Sequence, residues 1–285
     1  MKKKDIKITL VTNGGDYAKN ILLKCSLNGI NIHSVLILKR KKKSPIKIIP
    51  KIISLLMKFR LKVLLSKFFI KIGNYFDKST YREDISFEGY AKKIIVTGDL
   101  NSHDMILDLQ KINPDYMILG GVGILKEKVL KIPKYGTINA HPGILPFARG
   151  LDVVANSIIR EIPIGSTLHY VDSGIDTGKI INRKLLPISN TKNIKELNEV
   201  VYQQCSELIV NCILNVYNGK EMKGFNQVLK FPYCKKLSKE QKKKTEDLII
   251  ENVPQLIYEN WFKRYRSNTL PENLDTHPNI KVEKL

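Results

Sequence analysis

Short apolar runs alternate with stretches of helical periodicity along most of the chain. The first run, residues 6–15 (IKITLVTNGG), is typical of a buried strand that ends in a glycine turn. Residues 16–29 follow with apolar positions at helical spacing and stop at Gly29, and residues 30–38 form a second apolar run. This strand–helix–strand order predicts parallel pairing with a right-handed crossover.

The same alternation resumes further along the chain. Residues 92–98 and 114–121 are apolar runs that predict strands, and residues 102–113 between them have a helical pattern. Two more strands are predicted at 164–172 and 178–188, joined by the turn SGIDT. We therefore predict an α/β fold with an open, mostly parallel twisted sheet flanked by helices.

The end of the pattern predicts where the main domain closes. A long helical period covers residues 192–217, so we assign residues 1–217 to one α/β domain. The remaining residues, 218–285, are rich in lysine and form a C-terminal extension. Within it, residues 236–253 have the pattern of a helix, and the chain after Trp261 is poorly patterned.

One long segment breaks the alternation. Residues 39–77 begin with five basic residues, and then Ile, Leu and Phe alternate with Lys at roughly helical spacing, with no acidic residue before Asp77. We interpret this segment as a basic helical insertion that packs one apolar stripe on the sheet. The alternative is an amphipathic helix that lies on an anionic membrane surface. No apolar run reaches the length needed to span a bilayer.

Composition changes this picture mainly through charge. The formal net charge of +21 predicts a surface that attracts anions, without distinguishing nucleic acid, phospholipid and phosphorylated small molecules. The four cysteines have no metal-ligand spacing, so we predict no metal site and expect reduced thiols. The start of the chain fits a strand better than a signal peptide. We predict a cytoplasmic protein, at the inner membrane face if the insertion binds lipid.

Polar side chains cluster in three neighbouring stretches. These are NAHPGILPFARG (139–150), STLHYVD (166–172) and SGIDTG (173–178). Asn139 and His141 stand at the end of a strand predicted at 135–139, and side chains two residues apart on a strand share a face. Both should therefore point to one place, at the C-terminal end of a strand, where open α/β sheets bind ligands.

An amide and an imidazole in this arrangement suit the stabilisation of a tetrahedral intermediate. Asn139 can donate one hydrogen bond to a developing oxyanion and His141 a second. Asp176 is the candidate carboxylate that takes a proton from the nucleophile, and the glycines of its turn would let a ligand come close. We interpret His169 as a structural hydrogen-bonding residue, and Arg149 either as a clamp for an anionic acceptor or as a loop cap.

Two of these stretches, NAHPGILPFARG and GSTLHYVDSGIDTGKII, together resemble the signature of the folate-dependent formyltransferase family. That family includes the glycinamide ribonucleotide, methionyl-tRNA and nucleotide-sugar formyltransferases. The resemblance extends over residues 92–190 and more loosely from residue 5. It implies a Rossmann-like fold and formyl transfer from N10-formyltetrahydrofolate to a primary amine. Asn139 and His141 would hold the oxyanion and Asp176 would handle protons.

The resemblance also implies where the pterin ring of the formyl donor binds. The loops 120–125 and 171–176 would form the pocket. Its contacting residues would be Val122, Gly123, Leu125, Leu130 and Asp172. Leu130 would line the apolar wall, although core packing explains Leu125 and Leu130 equally well. Gly123 would let backbone donors and acceptors face a planar ligand.

The acceptor follows by exclusion. The chain after residue 217 lacks the alternating strands of an OB-like barrel for tRNA, and Pro142 stands where the tRNA members usually have Gly. The glycinamide ribonucleotide enzymes lack a large basic insertion. We expect the amino group of a nucleotide-linked amino sugar, for polysaccharide synthesis. Methionyl-tRNA formylation, formyltetrahydrofolate hydrolysis and a non-catalytic membrane-associated role are the alternatives, and the oligomeric state, a homodimer included, stays open.

Overall fold

All five residues of the first strand are buried, because both faces of a parallel strand are covered in this fold. The protein is described by a computed structural model. It describes residues 6–39, 87–188, 191–227 and 231–266, with side chains as far as Trp261. The predicted basic insertion at 39–77 lies outside these ranges except for Lys39, so its interpretation as a helix stays a prediction.

Seven strands form one sheet in the described ranges. They are β1 (Ile8–Thr12), β2 (Ile32–Leu38), β3 (Ala91–Thr97), β4 (Tyr116–Gly120), β5 (Gly136–His141), β6 (Gly165–Tyr170) and β7 (Ile180–Leu185). The strand order is β3-β2-β1-β4-β5-β6-β7. The pairings from β3 to β5 are parallel, and β5–β6 and β6–β7 are antiparallel. The predicted open, mostly parallel sheet is confirmed.

Helices cover this sheet on both faces. They are α1 (Asp16–Leu27), α2 (His103–Ile112), α3 (Glu127–Leu130), α4 (Val153–Ile159), α5 (Ile194–Tyr217), α6 (Lys239–Ile250) and α7 (Val253–Arg266). One face packs a core that includes Val11 and Met117 against Met105 of α2 and Val129 of α3. On the other face α1 and α5 pack against each other, and α5 also contacts β5 and β6.

Local signals account for the helix ends. Gly29 follows α1 with a φ of +65°, a conformation that glycine adopts without strain, and the predicted stop is confirmed. Asn193 caps α5, because its side-chain oxygen accepts a hydrogen bond from the Glu196 N–H at 2.9 Å. Strand β5 is longer than the predicted 135–139, since pairing with β6 continues to His141.

The C-terminal extension contains two helices where the sequence predicts one over 236–253. Asn252 has a φ of +59°, a left-handed conformation that ends α6 and separates it from α7. Ser238 begins α6 with a capping box, in which its hydroxyl and the Gln241 side chain bond each other's backbone N–H. Helix α7 starts at Val253 and was not predicted as a separate element.

Residues 233–237, which we call the docking segment, hold the extension against the loop that precedes α4. The Cys234 N–H donates to Arg149 O at 2.8 Å, and Cys234 O accepts from the Leu151 N–H at 2.9 Å. The Leu237 N–H donates to the carboxylate of Asp152 at 3.0 Å. All described residues except Lys39 belong to one compact unit. The predicted boundary at residue 217 stays a prediction.

Asn156 is one of the side chains that tie the docking segment to α4. Its buried Nδ2 donates to the carbonyl oxygens of Leu151, Asp152 and Lys235, at 3.0, 3.1 and 3.0 Å. We expect Asn156→Ala to lower the free energy of unfolding by about 1–3 kcal/mol, because the three hydrogen bonds of this buried amide are lost. Chemical denaturation measures this loss. The matched variant Asn211→Ala, on the exposed side of α5, should change stability by less than about 0.5 kcal/mol. Equal losses in the two variants would contradict the role of Asn156.

The described ranges contain no helix that is both long and apolar enough to cross a membrane. The four cysteines are buried and free. Burial raises the pKa of Cys25 and of Cys212 to about 12, so both remain thiols at neutral pH.

Candidate active site

Strand pairing brings the polar residues of β5 and β6 together. In the antiparallel register, Asn139 lies opposite His169, and His141 lies opposite Thr167. The Asn139 Nδ2 is 3.3 Å from the His169 Nε2, and the rings of His141 and His169 meet edge to face with centroids 6.3 Å apart. Asn139 and His141 therefore share one side of the sheet, as the period of a strand requires.

Asp176 reaches this group from the loop between β6 and β7. One carboxylate oxygen lies 3.5 Å from the His141 Nδ1, and the other lies 3.9 Å from the His169 Nε2. The Gly150 N–H donates to the same Oδ2 at 3.0 Å. The structure thus brings together all three predicted residues, and His169 with them. We call Asn139, His141, His169 and Asp176 the polar cluster.

The backbone around Asp176 is held from outside its own loop. Asp176 has a φ of +53°, which is uncommon for a residue with a side chain. The Gln227 Nε2 donates to Asp176 O at 3.0 Å and to Gly178 O at 2.6 Å. Asp172 closes the loop from within, because its Oδ1 accepts from the Gly174 N–H and the Thr177 hydroxyl. These bonds fix the carboxylate beside His141.

The two nitrogens of His141 are both engaged. Its Nε2 lies 2.7 Å from Ala148 O, and a carbonyl oxygen only accepts, so Nε2 holds a hydrogen. Its Nδ1 faces the carboxylate of Asp176 at 3.5 Å. The predicted hydrogen bond from His141 to an oxyanion would therefore require Nε2 to leave Ala148 O.

His169 has the opposite arrangement. Its Nδ1 donates to Tyr170 O at 2.8 Å, which leaves the Nε2 lone pair to accept from Asn139. Burial, and then the nearby His141, lower the pKa of His169 to about 4, although Asp176 acts in the opposite direction. At neutral pH His169 is therefore a neutral acceptor that orients the amide of Asn139.

This lowered pKa predicts a pH dependence of stability. Between pH 6.5 and 4 the unfolded chain binds a proton at residue 169 that the folded chain does not, so stability falls as the pH falls through this range. Relative to His169→Gln, the wild type should lose up to about 1.4 kcal/mol per pH unit there. Denaturant titrations from pH 4 to 7 measure the difference. His103→Gln, at an exposed position, serves as the control, and a slope that is lost equally in both variants would contradict the assignment.

A cavity of about 310 Å³ opens beside the polar cluster. Asn139, His169 and Asp176 line it together with four of the five residues that the resemblance assigns to the pterin pocket. These four are Val122, Gly123, Leu125 and Asp172. The fifth, Leu130, is the last residue of α3 and packs against the core on this face of the sheet. Core packing, the alternative explanation for Leu130, therefore accounts for it. We call this space the first cavity.

The glycines of the SGIDTG turn are required by packing within the loop, and their predicted role in the close approach of a ligand stays a prediction. A Cβ at Gly178 would overlap with Tyr170 O, and a Cβ at Gly174 would overlap with the Thr177 hydroxyl. These glycines let the loop close on itself. Packing also explains the glycine at position 120, before the loop 121–125, because a Cβ there would meet Ala18 of α1 at 3.1 Å.

Several residues of the site have no local signal in the sequence. Gln227 lies 51 residues from Asp176, and no pattern connects the two. Tyr17 of α1 and Tyr202 of α5 stack edge to face at 5.2 Å and line the first cavity with Tyr233.

Two other sequence hypotheses concern residues at the edge of the site. Asn13 and Gly14 form a turn after β1, in which the Asn13 side chain donates to Gly121 O at 3.0 Å, in agreement with the interpretation as a turn. The backbone of Arg149 pairs with Cys234, and its buried Nε has no hydrogen-bond partner in the described part of the chain. The same part contains no group of three or more His, Cys, Asp or Glu residues with an arrangement that could hold a metal ion.

Comparison with known proteins gives one family. Residues 71–213 match the family described as formyl transferase. The chain is 34% identical over 122 residues to the methionyl-tRNA formyltransferase of Clostridium perfringens strain SM101, and 35% identical over 121 residues to that of Clostridium beijerinckii. Each match covers 42% of this chain and 40% or 39% of the relative. The chain thus spans about two fifths of the length of the curated relatives it matches.

Solved structures show the same fold. A sugar N-formyltransferase from a Shewanella species matches with a TM-score of 0.53 and 15% identity, over 85% of this chain and 86% of that one. A phosphoribosylglycinamide formyltransferase from Anaplasma phagocytophilum matches with a TM-score of 0.52 and 18% identity, over 81% of this chain and 100% of that one. At these identities the similarity concerns the fold alone.

Proposed function

Because the chain belongs to the formyl transferase family, we propose that it transfers a formyl group from N10-formyltetrahydrofolate to the amino group of a nucleotide-linked amino sugar. The observation that supports this most directly is the polar cluster at the edge of a ligand-sized cavity. An amide, two imidazoles and a carboxylate gathered at the edge of one cavity suit acyl transfer to an amine.

The first cavity suits the folate. Enzymes of this family use N10-formyltetrahydrofolate as the formyl donor. Val122 and Leu125 offer apolar walls for a planar ring, and Asp172 and the backbone of the loop 121–125 offer polar edges. When bound, the folate would supply the activated formyl group, and the side chains of the polar cluster would act on it.

Asn139 is the oxyanion donor in this proposal. One N–H of its amide is used by His169, which fixes the plane of the amide, and the second is available to a ligand. A donor that is held in place before the reaction costs no reorganisation when negative charge develops on the formyl oxygen. His169 acts through Asn139 and is therefore a positioning residue.

His141 and Asp176 would manage the proton. The attacking amine forms a bond to the formyl carbon and must lose a proton, while the departing folate nitrogen must gain one. Asp176 is 16% exposed at its side chain, and it shares its Oδ2 between His141 and the Gly150 N–H. This pair can accept the proton from the amine and return it to the leaving nitrogen, so no net proton is consumed by the protein.

The proposed acceptor has one specific alternative. Similarity to methionyl-tRNA formyltransferases extends over about 120 residues, and it makes methionyl-tRNA the second candidate. The docking segment and α6 favour a small acceptor, because they pack against residues 149–156, the loop before α4 and its first turn, and close one side of the site beside the polar cluster. A nucleotide-linked amino sugar is an anion of suitable size.

Purified full-length chain provides the test. It would be mixed with N10-formyltetrahydrofolate and, separately, with a panel of nucleoside diphosphate amino sugars, with methionyl-tRNA and with no acceptor. We expect tetrahydrofolate release with at least one amino sugar, together with a formamido product identified by mass spectrometry. Transfer to methionyl-tRNA alone would overturn the sugar acceptor. Equal release without any acceptor would identify a hydrolase.

A further inference from the structure

A second cavity adjoins the first and is larger, at about 540 Å³. The two share wall residues that include Pro142, Gly150, Leu151 and Tyr202. His141 lines the second cavity, while Asn139 and Asp176 line the first. The polar cluster therefore lies at the boundary between two spaces, each of a size that binds small molecules.

The outer wall of the second cavity comes from the C-terminal extension. Lys242 and Thr245 of α6 line it, opposite Asn198 of α5 and Asp152 before α4. Residues 71–213 match the family, so this helix lies outside the matched range. It is held firmly in position, because Glu246 of α6 accepts a hydrogen bond from the Ile194 N–H at 3.0 Å.

Lys242 is the one lysine or arginine among the described residues that line this cavity. Its Nζ lies 3.4 Å from the Asp152 carboxylate, longer than a strong charge-assisted hydrogen bond, and its side chain is half exposed. The ammonium has three N–H groups, of which Asp152 faces one. Asp152 is also occupied by the Leu237 N–H, so its charge is partly satisfied without Lys242.

From this arrangement we infer that the second cavity binds the nucleoside diphosphate part of the acceptor, with Lys242 of α6 as the anchor for its phosphates. The inference rests on the proposed function for the class of acceptor. Asn198 of α5 and Thr245 of α6 would offer further polar contacts in this cavity, and His141 marks the end at which the amino sugar meets the formyl group. The C-terminal extension then determines which acceptor is used.

Binding measured without folate tests this site apart from the reaction. Titration calorimetry at low salt would follow UDP, dTDP and GDP with the wild type, Lys242→Ala, Lys242→Arg and Lys243→Ala. Lys243 is exposed on the same helix and does not line the cavity, so its loss changes the net charge equally. We expect at least one nucleotide to bind the wild type, about tenfold more weakly to Lys242→Ala, and within about threefold to the other two variants.

Three results would overturn the inference. They are the absence of binding of all three nucleotides to the wild type, equal weakening in Lys242→Ala and Lys243→Ala, and a rise in the KM of the formyl donor in Lys242→Ala with unchanged nucleotide binding. The last result would assign Lys242 to the anionic tail of the folate. Nucleotide binding that depends on Lys242 in a protein without formyl transfer would instead refute the proposed reaction and retain the site.

Discussion

Replacing Asn139 with alanine is expected to lower the kcat of formyl transfer by about 100- to 1,000-fold, the usual cost of losing one oxyanion donor. The change removes the one amide that the polar cluster aims at the first cavity and leaves the β5–β6 pairing intact. Steady-state kinetics give kcat and KM for both substrates, and thermal unfolding verifies the fold. The control is Asn182→Ala, since Asn182 is an asparagine of β7 whose Oδ1 accepts from the Arg183 N–H.

Substitution of His169 tests whether this residue acts through the amide of Asn139. Because it acts through the amide of Asn139, His169→Ala should cost less than Asn139→Ala. The double variant Asn139→Ala/His169→Ala should have the same kcat as Asn139→Ala alone, because His169 affects the reaction only through the amide that is already missing. Additive losses, or a kcat for Asn139→Ala within about threefold of the wild type, would show that the amide does not stabilise the reacting oxygen.

Asp176→Asn is expected to lower kcat by about 10²- to 10⁴-fold, the range for removal of a general acid–base group. The asparagine retains an oxygen for the Gly150 N–H, so the loop should stay closed, but the charge opposite the His141 Nδ1 is lost. Single-turnover kinetics with saturating donor and acceptor separate this loss from product release. The matched variant Asp104→Asn, on the exposed first turn of α2, removes the same charge and should retain the wild-type rate. A rate for Asp176→Asn within about fivefold of the wild type would remove Asp176 from the proton path.

The pair formed by Asn139 and His141 follows from the sequence, because a strand alternates its side chains and YGTIN continues as a strand. The position of Asp176 does not follow in this way. It depends on the left-handed conformation of Asp176 itself and on Gln227, which binds the loop from 51 residues away. The sequence of the turn identifies Asp176 as the candidate carboxylate, but hydrogen bonds from distant residues determine which side chains it faces.

The helices show the same division. The stop of α1 at Gly29 and the cap of α5 at Asn193 are local signals, and both ends agree closely with the predicted ranges. The break at Asn252 is not visible in the apolar pattern, since a left-handed asparagine leaves no trace in periodicity. Lys242 likewise cannot be distinguished in the sequence from the other lysines of the extension, and only the fold shows that it lines a cavity.

The docking segment bears on the order in which the chain folds during synthesis. Gly150, whose N–H holds the Asp176 carboxylate, is itself paired with Cys234, and the strands of the sheet all precede that residue. During synthesis the sheet can assemble as its strands emerge, because chains fold from the N-terminal side first. The carboxylate receives its final support only once residues 233–237 have left the ribosome. In the proposed reaction, competence is thus delayed until the docking segment has been synthesised, and a nascent chain with a finished sheet still lacks the support of its carboxylate.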